Sequence, residues 1–117
     1  MKAIILTIGN EILCGQVIDT NAAWLAQQLL AEGISVKEKW SVADTLDDIT
    51  EAMDHACKRG DIIITTGGLG PTADDLTCEA LAKYMQVERF FHENTFENLT
   101  RIFGSYGRVP MESHRIQ

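Results

Sequence analysis

Cysteine is too sparse in this sequence to serve as a framework. Cys14, Cys57 and Cys78 are three, an odd number, far apart and outside any C-x-x-C spacing, which excludes both a disulfide scaffold and a structural zinc site. All three read as small buried residues. Basic residues are also outnumbered, 10 Lys and Arg against 17 Asp and Glu, for a net charge of −7. That balance excludes a general nucleic-acid surface or an anionic-membrane surface, each of which needs a basic patch. Long apolar runs are missing too: after Lys2 the run Ala3 to Ile8 stops at Gly9, too short for a signal-peptide core or a membrane span. The expectation is therefore a cytoplasmic protein with no membrane partner, in which the sequon Asn98-Leu99-Thr100 carries no meaning. Internal repeats, low-complexity tracts and interdomain linkers are absent as well. An anionic ligand must then be held locally, by backbone N–H groups, a few placed cations or a metal.

What the chain does have is 117 residues with 45% hydrophobic content, enough for one core and not two. Ala3 to Ile8 is a β-branched run of the kind buried on both faces of a sheet. Ala22, Leu25, Ala26 and Leu29 recur at helical spacing, which predicts a helix from Asn21, a candidate N-cap, to a stop at Gly33. Ile34 to Trp40 alternates as a strand nearer the sheet edge. Leu46, Ile49, Met53 and Ala56 mark a second helix, opened by a capping box of Thr45 with Asp48 and closed by Gly60. Asp61 to Thr66 is a third strand. Two further helical stripes follow, Leu76, Ala80, Leu81, Tyr84 and then Phe96, Leu99 with Ile102 or Phe103, separated by a candidate short strand at Val87 to Phe91. Strands and helices alternate throughout, which predicts an α/β fold: a parallel sheet with helices on both faces and ligands at the carboxyl ends of the strands. Three strands are few for four amphipathic helices, so more chain or a second subunit is expected to complete the sheet, and a homo-oligomer is the natural form.

Chemistry concentrates in Thr65-Thr66-Gly67-Gly68-Leu69-Gly70-Pro71-Thr72-Ala73-Asp74-Asp75, between a buried strand and a helix. Residues without Cβ let backbone N–H groups approach an anion, and the helix N-terminus adds its positive end. The loop is not a Walker A loop, since no Lys follows the last glycine; Gly68-x-Gly70-x-x-Ala73 fits the dinucleotide fingerprint only weakly. A tight turn needing φ > 0 is the plain alternative, but three glycines in four positions exceed its needs, so a phosphate cradle is favoured. Two carboxylates beside an anion call for a divalent metal such as Mg²⁺. Asp74 reads as the cap of the following helix. Asp75 is evenly balanced between metal or substrate work and a capping box with Thr72. Asn10, Glu11, Asp19 and Asn21 leave the first strand at the same sheet edge, and Asp44 comes to that rim from the second; capping for Asp19 and Asn21, and a turn for Asp44, are the plainer readings. His55, His92 and His114 share no ligand spacing, and Trp24 and Trp40 read as packing.

These stretches carry a resemblance. Gly9-Asn10-Glu11-Ile12-Leu13-x-Gly15, Asp19-Thr20-Asn21 and Thr66-Gly67-Gly68-Leu69-Gly70-Pro71-Thr72-x-Asp74-Asp75-Leu76-Thr77 resemble the amino-terminal domain of the CinA (competence/damage-inducible) family, in the molybdopterin-binding superfamily. The resemblance covers nearly all of residues 1–117 and implies a three-layer α/β sandwich, an amino-terminal portion of such a domain truncated at its C-terminus, with no deamidase domain. It implies an enzyme, a metal-dependent ADP-ribose pyrophosphatase giving AMP and ribose 5-phosphate. The alternatives are a molybdopterin-binding or adenylyltransferase-type protein of molybdenum cofactor biosynthesis, and a non-catalytic nucleotide-binding module. Position by position, Asp75 matches the superfamily's loop aspartate and Asp44 the acidic residue after the second strand, both candidate catalytic groups and, with Glu11, candidate metal ligands. Thr66, Gly67, Gly68, Gly70 and Thr72, with Asn10, Glu11 and Asn21, are the expected ligand and phosphate contacts for a small anionic nucleotide. In the tail, Ser113 and His114 replace the family's usual Asn-Asn pair.

Overall fold

The computed structural model describes residues 1–110. Its elements run β1 (Lys2–Ile8), α1 (Asn10–Leu13), α2 (Thr20–Ala31), β2 (Ser35–Val42), α3 (Leu46–Arg59), β3 (Ile62–Thr66), α4 (Thr77–Met85) and α5 (Glu93–Ser105). The sheet is parallel, in the order β2-β1-β3. An unbroken apolar run suits only the central strand, and Ala3, Ile4, Ile5, Leu6 and Ile8 are all buried. Its two faces meet different helices. Ile4, Leu6 and Ile8 join Val42, Ile49, Ala52, Met53, Ala56 and Ala80 in one core under α3 and α4. On the other face α2 packs on β1 and β2, and Ile5 and Ala22 are buried. Each fully buried Ile or Leu contributes roughly 1.5–3 kcal/mol of transfer free energy, so β1 anchors both layers.

Helices on both faces of a parallel sheet are as expected, and the boundaries fall within a residue or two of the sequence reading. α3 begins as predicted: the Thr45 hydroxyl accepts the Asp48 N–H at 3.2 Å and donates to its carboxylate at 2.6 Å. Other expectations are corrected. α2 starts at Thr20, and its N-cap is Asp19, whose Oδ1 accepts from the Ala22 N–H at 2.9 Å while Oδ2 accepts from the Thr7 hydroxyl at 2.6 Å. Asn21 is thus an exposed residue of the first turn. Residues 87–91 form no strand, because among the described residues no neighbouring strand lies alongside to pair with them. Cys14 and Cys57 are exposed and Cys78 half-buried, so the buried-cysteine expectation fails. Trp24 is 59% exposed and is not a packing residue.

The far side of the sheet is less closed. Among the described residues β3 pairs with β1 alone, every residue of β3 is only half-buried, and α5 has no buried residue. Among the described residues no helix is long and apolar enough to cross a membrane.

Candidate functional site

β1 lies between its sequence successors β2 and β3, so the strand order reverses between β1 and β3, the place where parallel sheets open a crevice at their carboxyl ends. Three loops meet there. Gly9 leaves β1 and donates its N–H to the Val42 carbonyl at 3.0 Å. The Asn10 side chain then accepts the Asp44 N–H at 3.2 Å, which stitches α1 to the loop after β2. From β3 come Thr66 and the glycine loop.

The glycines are needed, but for a reason the sequence does not show. A Cβ on Gly67 would lie 2.0 Å from the Ile8 carbonyl oxygen, and on Gly68 2.2 Å from the Thr77 hydroxyl, with φ at +90 and +62. At Gly70 it would meet the Asp75 carboxylate at 2.5 Å. Each absent side chain makes room for the protein itself, so the count of glycines is explained without a ligand. Thr77 completes the arrangement: it is buried, its hydroxyl donates to the Gly67 carbonyl at 2.8 Å, and its N–H donates to the Gly68 carbonyl at 3.2 Å. Sequence reasoning missed Thr77. Its position at the first turn of a helix just after a glycine loop was the available signal.

Asp75 and Thr72 form the reciprocal pair that their spacing suggested. Asp75 Oδ2 accepts the Thr72 N–H at 2.9 Å and the Thr72 hydroxyl at 2.6 Å, while the Asp75 N–H donates to the Thr72 carbonyl at 3.1 Å. The Thr72 hydroxyl, then its N–H, hold the Asp75 carboxyl below the usual carboxylate range. Asp74 is exposed and caps nothing; α4 has Leu76 at its N-cap position and no side-chain cap, which corrects the capping role expected of Asp74.

Asp44 is half-buried beside the start of α4, near the Leu76 N–H. Its Oδ1 is buried and, among the described residues, has no hydrogen-bond partner. Burial pushes the Asp44 carboxyl upward, and the neighbouring Asp75, Glu11 and Asp74 push it the same way. The loops therefore gather four carboxylates, of which Asp44 is the uncompensated one. Glu11 sits exposed on α1. Asn21 is brought into none of these contacts, since the cap at Asp19 turns the start of α2 toward Thr7. His92 caps α5 through Nδ1, His55 lies over Trp40, and His114, with Ser113, is outside the described residues.

A metal fits this donor set only in part. Among the described residues no group of three His, Cys, Asp or Glu side chains is placed to hold an ion. The unpaired Asp44 Oδ1 is a donor without a partner, and Mg²⁺ asks for only one or two carboxylates when phosphate and water oxygens complete its shell.

Comparison with known proteins gives this geometry a context. Residues 4–116 match the family model described as "Probable molybdopterin binding domain". A competence-damage inducible protein of Clostridium tetani is 40% identical over 117 residues, covering 100% of this chain and 29% of that protein. Its chain is thus more than three times as long as the stretch shared. Among solved structures, the CinA protein of Thermoplasma acidophilum, described as of unknown function, superposes with a TM-score of 0.85 at 34% identity over 98% of this chain and 66% of its own. The molybdopterin biosynthesis enzyme MoaB of Thermus thermophilus superposes with a TM-score of 0.66 at 25% identity, over 94% of this chain and 67% of its own.

Proposed function

Since the chain belongs to the family of molybdopterin-binding domains, we propose that it binds a phosphate-bearing pterin of the molybdopterin class at the carboxyl ends of β1 and β3. The observation that carries the reading is the half-buried Asp44 at the start of α4, one carboxyl oxygen of which is buried and, among the described residues, unpaired. A buried acceptor without a donor loses about 1–3 kcal/mol, and a ligand or cation that supplies the missing partner recovers it. The phosphate lies over the open N-terminus of α4, where the helix dipole favours an anion. Asp44 and Asp75 would be the residues to hold a divalent ion, which would supply charge neutralisation at the phosphate. The family name of the solved MoaB neighbour supports a molybdenum-cofactor ligand. The test is calorimetry with Mg²⁺ and inorganic pyrophosphate on wild type and Asp44→Asn, together with the fluorescence of oxidised pterin released from freshly purified protein. Equal pyrophosphate affinity in the two proteins, and no released pterin, would remove the reading.

Hydrolysis of ADP-ribose is the second reading, and one observation favours it. Of the acids in the crevice whose protonation is displaced, Asp44 alone is displaced upward, the direction a general base for water requires. In this reading Asp44 takes the proton of the attacking water, and Asp75 keeps Thr72 and the loop in register as the diphosphate is cleaved. Incubation with ADP-ribose and Mg²⁺ should then release AMP and ribose 5-phosphate, with turnover in Asp44→Asn lower by about a hundredfold. Intact ADP-ribose after prolonged incubation would leave binding without hydrolysis.

A further inference from the structure

Helix α2 differs from the other long helices in carrying no charge. Asp, Glu, Lys and Arg make up 23% of the chain, yet none of the 12 residues from Thr20 to Ala31 is one of them. α3, α4 and α5 each turn acids to solvent, among them Glu51, Glu79 and Glu97. The inner face of α2 is that of any sheet-covering helix: Ala22 is buried, and Leu25, Ala26 and Leu29 are half-buried where it packs on β1 and β2. Its outer face is apolar as well. Trp24 and Leu30 are 59% and 69% exposed, and Ala23, Gln27 and Ala31 lie exposed beside them. A helix that is apolar all round is normally buried all round. An exposed Trp on a patch without charge is the composition of an interface core.

The order of these residues identifies the occupant. About Gln27 the outer face reads the same in both directions: Trp24 and Leu30 stand three residues to either side, and Ala23 and Ala31 four. Residues three and four apart are neighbours on a helix surface, so all five share one stripe. Such a stripe is complementary to itself when two helices pack antiparallel about a twofold axis at its middle residue. Trp24 then meets Leu30 of the partner subunit, and Ala23 meets Ala31 of the partner subunit. The two Gln27 amides face each other across the axis, each with a donor and an acceptor for the other. Charge makes the same choice. A twofold contact brings ionised groups toward their own images, and a chain of net charge −7 repels its copy. Among the described residues, α2 is the long helix whose outer face brings no like charges together.

We propose that the outer face of α2 docks a second copy of this chain, in a twofold dimer with antiparallel α2 helices and Gln27 on the axis. The Asp19 cap and the bond it accepts from Thr7 fix the start of α2 at the carboxyl end of β1. Antiparallel pairing therefore sends the two crevices to opposite ends of the helix pair, apart by about a helix length, roughly 18 Å for 12 residues. Neither copy supplies a residue to the crevice of the other.

Charge placed on the axis is the sharpest test. Sedimentation equilibrium on the 117-residue chain should give the mass of two chains at micromolar concentration. Gln27→Glu and Gln27→Lys each set like charges face to face and should raise the dissociation constant at least tenfold. An equimolar mixture of the two should recover a dimer with one copy of each, because opposite charges then meet. Gln27 is exposed, so both variants should keep the circular dichroism of the wild type. Trp24→Glu should dissociate the dimer as well. A wild-type monomer throughout this range overturns the proposal and leaves the face to a partner of another kind. A trimer, or a dimer that survives all three substitutions, overturns it equally. Gln27 variants that are monomeric alone and fail to pair when mixed remove the axis from Gln27, and the assignment falls with it.

Discussion

The ends of β2 and β3 flank the same central strand, yet they are held in opposite ways. After β3 the backbone itself is the packing surface: Gly67 lies against the Ile8 carbonyl, Gly68 against Thr77, and Gly70 against Asp75. After β2 the surface is made of side chains, with His55 lying on Trp40 and Glu38, held by Arg59, 3.9 Å from His55. Main-chain packing cannot relax by changing a rotamer, so the glycine loop is a fixed element and an intolerant one. A wall of side chains adjusts one residue at a time. A phosphate that must meet oriented N–H groups is served by the first kind of surface.

The contrast is broken most directly at Gly67. Gly67→Ala places a methyl on the Ile8 carbonyl at a backbone φ of +90, and nothing flexible lies in its way to yield. A loss of about 3 kcal/mol or more is expected, read as the free energy of urea unfolding. A variant that unfolds at the wild-type midpoint would show the loop to be as pliable as the β2 side. Thr77→Val comes next. It keeps the shape but removes the hydroxyl bonded to the Gly67 carbonyl in a buried setting, an expected loss of about 1–2 kcal/mol in the same measurement. Thr72→Val, at an exposed position, should cost less; the reverse order would move the keystone from Thr77 to the Asp75 clasp.

Sequence patterns reach unequally into these two regions. The central strand, the four longer helices and the Thr45–Asp48 cap follow from spacing within a dozen residues, and the parallel sheet from their alternation. Asp19 could not be preferred to Asn21 as a cap from local sequence, because what selects it is the bond to Thr7 across the domain. Val87 to Phe91 has strand-forming residues, but a strand exists only where a neighbour pairs with it. The exposure of Cys57 was legible: Ala56 faces the core, and one step along a helix turns the next residue by 100°. At the site, the Thr72–Asp75 pair was visible in the spacing and the gathering of Asp44, Asp75 and Glu11 in the topology. The true reason for the glycines was not visible. It lies in Ile8 and Thr77, far from Gly67 in sequence or hidden in the following helix, and only the folded chain brings them within contact.

The two acids beside the loop sharpen the comparison through pH. Asp44 has its folded-state pKa raised, so the folded form holds the proton more tightly than the unfolded chain, and stability increases as pH falls from above the folded value to the unfolded one. Asp75 has its value lowered, and its contribution, present above the unfolded pKa of about 3.9, is lost as pH falls through the folded value. Asp44→Asn should therefore melt higher than wild type at neutral pH, with the difference closing below about pH 4. Asp75→Asn should melt lower at neutral pH and converge on wild type in stronger acid. Melting curves recorded from pH 3 to pH 8 distinguish the pair; parallel behaviour of the two variants would mean that Asp44 is paired with a donor in solution.

The smallest effect is expected at Arg59, on the side-chain-built flank. Its pair with Glu38 is at the surface, with the two side chains 45% and 18% exposed, and water screens such pairs until they contribute little to folding. Arg59→Gln should shift the melting temperature by under about 3 °C. The contact should nevertheless loosen locally, because Glu38, relieved of Arg59, is free to leave its place 3.9 Å from His55, which lies on Trp40. In a Trp24→Phe background, which leaves Trp40 as the only tryptophan, that loosening should appear as a red shift of emission and easier quenching by iodide. A large drop in stability would place Arg59 among the fixed contacts of the fold, and an unchanged Trp40 spectrum would show that the core alone holds the indole.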